Sequence, residues 1–139
     1  MIFDNDIIIA AFTAWFIAQA IKIIINLISN KTLNLGLITS SGGMPSSHTS
    51  TVIAMTTSVG IIEGIDSTFF AIACILSVIV MYDALGVRRQ AGKHAQIINI
   101  LTKDTDNSTK LKELVGHKPI EVLCGAILGI LVAYILTVI

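Results

Sequence analysis

Three long apolar segments limit what this chain can fold into. Residues 7–28 carry one formal charge, Lys22, residues 68–82 carry none, and residues 120–139 carry only Glu121 near their start. A helix needs about 20 predominantly apolar residues to cross a bilayer. Only 13% of the chain is charged, against about 25% in soluble domains. The sequence therefore predicts a membrane protein with three firm spans.

A shorter segment, residues 49–62, is richer in serine and threonine. We predict that it forms a fourth, partly shielded helix, because the chain must return across the membrane after the first span. From Arg88 to Leu101 apolar residues recur at helical spacing, which predicts an amphipathic helix at the membrane interface. The expected fold is an all-α polytopic bundle of about four transmembrane helices in a single domain, residues 1–139.

Four crossings would place the loops at 29–48 and 88–118 on one side of the membrane. All nine basic residues of the chain then fall on that side, and the opposite side holds only acidic charges. Basic residues concentrate in cytoplasmic loops. We therefore expect a multi-pass protein of the cell membrane with both termini outside the cytoplasm and its functional loops facing the cytoplasm.

The segment 42–48 reads Gly-Gly-Met-Pro-Ser-Ser-His. The glycines allow a turn with inward-pointing amides, Pro45 suits a first helical turn, and Ser46 or Ser47 can cap the following helix. Such a helix N-terminus attracts anions. His48 could exchange a proton with a bound anion. The alternative is an ordinary capped loop with a solvated histidine.

A polar stripe runs along the first apolar helix, because Gln19, Lys22 and Asn26 are spaced at i, i+3 and i+7. Ionisable groups within spans usually face a partner or a wet cavity. Lys22 is therefore a candidate for the functional site. Its alternative is to extend along the helix to the membrane interface.

Basic residues follow the third span, where Asp83 precedes Arg88 and Arg89 within two helical turns. Arginine forks suit phosphate oxygens. The alternative is a juxtamembrane basic cluster that contacts anionic headgroups.

The last span opens with His117, Pro119 and Glu121. The imidazole and the carboxylate share a face if the helix includes both, although the residue before a proline-containing first turn can lie outside it. A carboxylate beside an imidazole fixes its tautomer, which a histidine nucleophile or base requires. The alternative is a histidine at the helix start with a dipole-compensating glutamate.

Three ordered segments, at 42–48, 82–93 and 116–122, resemble the divergent branch of the type 2 phosphatidic acid phosphatase (PAP2) superfamily, related to acid phosphatases and vanadium haloperoxidases. They read GGMPSSH, YDALGVRRQAGK and GHKPIEV. The resemblance covers nearly the whole chain. It implies that His48 is the general acid, His117 the nucleophile and Glu121 its orienting acid.

The resemblance also implies a phosphate clamp at Arg88, whereas the superfamily's first motif, a lysine followed by Arg-Pro, is absent. Pairing Arg88 with His94 instead would leave Ile98 in the acidic position, so we favour His117. The further candidates for phosphate binding are Arg89, Ser46, Ser47 and Lys22, and those for supporting the site are Asp83, Gly42, Gly43 and Pro45.

The implied function is a metal-independent phosphatase that hydrolyses a lipid or isoprenoid phosphate monoester, or a pyrophosphate, through a phosphohistidine, without a cofactor. Its expected partners are that substrate and membrane lipids, not nucleic acid, with a possible homodimer through the small-residue face Gly125 to Gly129. The alternative is a non-catalytic membrane protein that binds phospholipid headgroups or scaffolds a partner.

Overall fold

The computed structural model describes residues 5–31, 42–103, 110–113 and 115–139. The fold is all-α, as the sequence predicts. The described residues form the helices α1 (Asp6–Asn30), α2 (Ser47–Ile62), α3 (Thr68–Leu85), α4 (Val87–Leu101) and α5 (Pro119–Val138).

Three helical stretches are long and apolar enough to cross a membrane by length and composition. They are Asp6–Asn30, Thr68–Leu101, in which α3 and α4 follow one another, and Pro119–Val138. Helix α2 has 16 residues, a length of about 24 Å at 1.5 Å per residue. It is shorter than the hydrocarbon core of a bilayer, so a fourth crossing at α2 remains a prediction.

Helix α2 occupies the centre of the bundle, in contact with α1, α3 and α5. Small side chains at its interfaces with α1 and α5 let these helices approach closely, and the buried core is built from Ala14, Ala54, Val132 and Ala133. The outward faces of α1, α3 and α5 carry exposed large apolar side chains. Helix α2 is the least apolar of these four helices, and α1, α3 and α5 shield it.

Two glycines of α5 lie directly against the backbone of α2. A Cβ atom added to Gly125 would lie 2.5 Å from the carbonyl oxygen of Ser46, and one added to Gly129 would lie 2.6 Å from that of Ser50. The small-residue face is therefore already occupied within the chain. These two glycines serve packing within one protomer, and the homodimer stays a prediction.

The hydroxyl groups of α2 find partners inside the bundle. Thr56 and Ser77 share a hydrogen bond of 2.8 Å between their side chains, and Ser58 and Thr137 share one of 3.2 Å. Such bonds satisfy polar groups that would otherwise be unpaired in an apolar environment. The serine and threonine content of α2 therefore suits a central position rather than a lipid-facing one.

Candidate functional site

Four helix ends meet at one end of the bundle. The amide of Ser46, before α2, donates to the carbonyl oxygen of Glu121 in α5 at 2.9 Å. The amide of His117, before α5, donates to the carbonyl oxygen of Ala84 in α3 at 3.1 Å. These two bonds bring together the three motifs that are separate in the sequence.

His117 is oriented by a carboxylate. It lies two residues before α5, which begins at Pro119, so the imidazole is outside the helix. Its Nδ1 nevertheless lies 3.2 Å from Oε2 of Glu121. The same oxygen accepts the backbone amide of Lys118, the N-cap residue of α5, at 2.9 Å. The helix cap therefore fixes the carboxylate that holds the histidine.

The other ring nitrogen of His117, Nε2, carries a lone pair but is enclosed by the protein. The residue is only 2% exposed, and its Nε2 is buried without a hydrogen-bond partner in the described part of the chain. Burial lowers the pKa of His117 below its ordinary value of 6.5, and the hydrogen bond and charge of Glu121 oppose this shift without reversing it. The imidazole is therefore neutral at pH 7. A proton on Nδ1, facing the carboxylate, leaves the lone pair on Nε2.

The segment before α2 differs in one respect from the sequence-based prediction. Pro45 does not lie in the first helical turn but before the cap, joined to Met44 by a cis peptide bond. Ser46 is the cap, and its side chain accepts the amide of Thr49 at 3.3 Å. Because its backbone amide also donates to the Glu121 carbonyl oxygen, both the amide and the hydroxyl group of Ser46 have partners within the protein. It joins α2 to α5, and Ser47 is the serine that faces the polar stripe of α1.

Lys22 points into the bundle rather than toward the membrane interface. It is 3% exposed, and its Nζ donates to the hydroxyl of Ser47 at 3.3 Å. Its aliphatic stem packs on Gly43, where an added Cβ would lie 3.6 Å from Cδ of Lys22. Gly43 has a φ of +96°, a conformation that favours glycine. The preceding residue, Gly42, is buried.

Arg88 is fixed by Asp83. Its Nε donates to Oδ2 of the carboxylate, and the two side chains are 42% and 35% exposed. This contact leaves the terminal Nη groups of Arg88 for other acceptors. Arg89 is exposed at the start of α4. The Asp83 carboxylate therefore holds the Arg88 guanidinium in place, and its role as a phosphate clamp stays a prediction.

His48 lies in the first turn of α2 and is exposed. Partial burial lowers the pKa of His48, the charges of Arg88, His117 and Lys22 lower it further, and the charge of Asp83 opposes the shift. It is therefore close to the buried histidine, yet it is open to the surroundings. His94, the other candidate histidine, is exposed on α4.

A cavity of about 340 Å³ lies beside these residues. His117 and Glu121 form part of its wall, and three cations, Arg89, Lys93 and Lys118, line it. Among the described residues, no group of three or more histidine, cysteine, aspartate or glutamate side chains could hold a metal ion. Two carboxylates, Glu113 and Glu121, also line the cavity, so its lining has a formal charge of +1 when His117 is neutral.

A family model described as the divergent PAP2 family matches residues 3–132. The chain belongs to this family. Its sequence is also 41% identical to the uncharacterized membrane protein YuiD of Bacillus subtilis (strain 168), over 148 aligned positions that cover 95% of this chain and 94% of that protein. No solved structure matches the chain. The family resemblance inferred from the three motifs is thus confirmed.

Two glycines of this divergent PAP2 protein join α4 to the loop that carries His117. A Cβ added to Gly116, at φ +83°, would lie 2.3 Å from the amide nitrogen of Arg89. One added to Gly92 would lie 2.5 Å from the carbonyl oxygen of Val115. Neither glycine had a predicted role, although a glycine inside the helical pattern of 88–101 is a signal of close backbone approach.

Asn99 makes a third contact between α4 and this loop. Its side-chain oxygen accepts the amide of Leu111 at 2.8 Å, and its side-chain nitrogen donates to the Leu111 carbonyl at 2.9 Å and to Glu113 Oε1 at 2.8 Å. No pattern in the sequence predicted this pairing, because it depends on where two separate segments meet. Asn99 and the two glycines make α4 and the His117 loop one packed unit.

Proposed function

We propose that the chain is a metal-independent phosphatase that acts on a lipid or isoprenoid phosphate monoester or pyrophosphate. The observation that carries this proposal is the contact of 3.2 Å between His117 Nδ1 and Glu121 Oε2, combined with an unpartnered Nε2. A neutral imidazole held in this way by a carboxylate is suited to nucleophilic attack. Cationic groups from α1 and α4 lie near it.

In the first step, the Nε2 lone pair of His117 attacks phosphorus. A P–N bond forms as the P–O bond to the leaving group breaks. His48, in its protonated form, donates a proton to the departing oxygen. Partial burial and the charges of Arg88, His117 and Lys22 lower the pKa of His48, which makes its imidazolium a stronger acid but reduces the protonated fraction at neutral pH. The developing positive charge on His117 is balanced by Glu121.

Positive groups would stabilise the oxygens of the transferring phosphoryl group. The Nη groups of Arg88 are the main candidates, since Asp83 holds only its Nε. The Lys22 ammonium and the Ser47 hydroxyl form a second contact point. Fixed cations at the positions where charge develops are the principal means by which phosphoryl transfer is accelerated.

In the second step, water attacks the phosphohistidine. Its proton passes to His48, now the base, the P–N bond breaks, and inorganic phosphate leaves. We place this site at the cytoplasmic surface, with both termini on the opposite side. The support for this placement is the distribution of the nine basic residues.

The test is phosphate release by the purified protein from a panel of lipid and isoprenoid phosphates and pyrophosphates in mixed micelles. Wild type is compared with His117→Ala and His48→Ala. The matched control is His94→Ala, which removes an exposed histidine from α4. The proposal requires loss of activity in the first two variants and wild-type activity in the third. Equal background release from all four proteins would refute it.

The alternative is a non-catalytic protein that binds phospholipid headgroups. It is favoured by one observation: Nε2 of His117 is buried, so the nucleophile is not open to a substrate in this conformation. A binding protein would be stabilised against thermal unfolding by vanadate or phosphate but would neither release phosphate nor form an acid-labile phosphoenzyme.

A further inference from the structure

A second cavity adjoins the first at Gly43. It has a volume of about 250 Å³ and lies beside the C-terminal half of α1. Gly43 forms part of the wall of both cavities. The backbone at this single position therefore separates the cavity that His117 lines from the cavity that Lys22 lines.

The second cavity combines polar and apolar walls. It is lined by the side chains of Lys22, Asn26, Ser29 and Asn30 together with Ile25 and Met44. The side-chain nitrogen Nδ2 of Asn30 donates to the side-chain oxygen of Asn26 at 2.7 Å. A cation and several hydrogen-bonding groups beside aliphatic side chains suit a polar anionic headgroup with an attached hydrocarbon chain.

This cavity lies next to surface that would face lipid. Ile24 and Ile28, on the adjoining face of α1, are 54% and 74% exposed. Large exposed apolar side chains on a spanning helix face the hydrocarbon of the bilayer. A lipid could therefore present its polar end to Lys22 while its chain stays against α1.

The first cavity has a different character. Its walls come from α4 and the His117 loop, and Arg89, Lys93, Gln96 and Lys118 line it. These are polar side chains at the end of the bundle rather than on a lipid-facing helix. This cavity is suited to water and inorganic phosphate.

The partition at Gly43 also encloses the reactive nitrogen. Nε2 of His117 is buried, and the backbone of Gly43 lies close enough to the ring to act on the pKa of His117. Phosphorus cannot reach a fully buried nitrogen. Exposure of this nitrogen requires part of the wall to move, and glycine at position 43, with φ +96°, has the conformational freedom to do so.

We propose that the cavity beside Lys22 is an entry site for the phosphate-bearing end of a membrane lipid, and that movement of Gly43 opens it to His117. The lipid enters from the bilayer, and water enters and phosphate leaves through the cavity lined by α4. The inference rests on the proposed function for the reaction that follows, but the entry site and the partition can be tested without turnover.

The partition is tested by carbethoxylation of histidines with diethyl pyrocarbonate, followed by mass spectrometry of each histidine peptide. In wild type, His117 should react much more slowly than the exposed His94. Gly43→Ala strains the closed backbone, and an added Cβ meets only the flexible stem of Lys22. We expect it to raise the His117 rate about 5- to 30-fold.

The matched control is Gly64→Ala. Gly64 has a φ of +87°, and an added Cβ there meets nothing within 4 Å. The backbone strain is therefore similar, but Gly64 lies in the turn between α2 and α3. The His117 rate should stay at the wild-type value. Equal His117 rates in Gly43→Ala and Gly64→Ala, or equal rates at His117 and His94 in wild type, would overturn the partition.

The entry site is tested by protection in nanodiscs, in the Gly43→Ala background. Dioleoyl phosphatidic acid in the bilayer should slow modification of His117, and Ser29→Leu should abolish this protection by filling the second cavity. Thr13→Leu, which introduces the same side chain near the other end of α1, should preserve it. Inorganic phosphate in solution should protect both variants equally.

Lipid protection that is absent, or that survives Ser29→Leu, would overturn the entry site. Phosphate release is measured in parallel for wild type, Ser29→Leu and Thr13→Leu with Gly43 unchanged. This release tests the proposed function separately. Protection without release would leave the entry site standing and reject the phosphatase.

Discussion

The carboxylate of Glu121 lies 3.2 Å from Nδ1 of His117, although the two residues do not share a helix. The contact forms because Oε2 of Glu121 also accepts the backbone amide of Lys118, which directs the Glu121 side chain back toward the residues before the helix. A feature of local helix chemistry thus supplies the orienting group of the site. Changes to either residue should therefore separate folding from reactivity.

Glu121→Gln should preserve the fold and impair the reaction. The side-chain oxygen of glutamine can also accept the backbone amide of Lys118, so the thermal unfolding temperature in detergent should stay close to that of wild type. The neutral amide stabilises the imidazolium poorly, and we expect phosphate release to fall by roughly 10²-fold or more. Phosphate release by Glu121→Gln at the wild-type rate would show that Glu121 only caps the helix.

The pH dependence of the reaction should report the lowered pKa of His117. A nucleophilic imidazole must be neutral, and burial shifts its pKa below 6.5. Protonation of His117 should therefore reduce the rate of phosphoenzyme formation only below pH 6.5. Protonation of His48, whose pKa is also lowered, should raise the rate as pH falls toward that limit. Rapid-quench measurements between pH 4.5 and 8 give this profile. A decline centred above 6.5 contradicts the assignment.

The same shift affects stability. Because the folded pKa is below that of the unfolded chain, the unfolded state binds more protons between the two values. His117 therefore contributes to a loss of stability as pH falls below 6.5 and through the folded pKa. His117→Gln should reduce this contribution to the pH dependence of thermal unfolding.

Arg88 and Arg89 should differ in their importance. The guanidinium of Arg88 is held by Asp83, whereas Arg89 is exposed beside the cavity. Arg88→Lys removes the planar fork and should lower kcat/KM about 10²-fold, consistent with the loss of one stabilising group in a transition state. Arg89→Lys keeps a charge at an exposed position, and its effect should be only a few-fold. Equal effects would argue against the clamp.

Gly125→Ala should destabilise the bundle. The added Cβ would lie 2.5 Å from the carbonyl oxygen of Ser46, which forces α5 away from α2. Overpacking of this kind costs about 1–3 kcal/mol, measurable as a lower unfolding temperature in detergent. Ile127→Ala, on the exposed face of α5, is the control and should have a smaller effect. A Gly125→Ala protein as stable as wild type would contradict the packing described.

The sequence was sufficient for the parts of the fold set by local patterns. Apolar length predicts α1, α3 and α5, helical spacing predicts α4, and the Ser46 cap follows from residue type. Pro45 was misplaced because its residue type suits a first helical turn, whereas the chain bends before the cap. The packing of Gly125 against α2 was not predicted, because a small-residue motif does not reveal which helix it packs against.

The site was predictable only in part. Motif spacing identified His117, Glu121 and Arg88, because each lies in a short segment with a recognisable pattern. The contact of Asn99 with residues 111 and 113 was not predictable, since it joins segments whose separation in space is set by the whole bundle. The burial of Nε2 was also hidden, because a sequence does not show which backbone covers a side chain.

In the proposed reaction, His117 becomes phosphorylated. The most direct measurement is rapid quenching of the purified protein with a ³²P-labelled lipid phosphate, followed by peptide mapping. We predict an acid-labile, base-stable label on the peptide that contains His117, present in wild type and His94→Ala and absent from His117→Ala. Phosphate release without any label on His117, or an undiminished label in His117→Ala, would contradict the account.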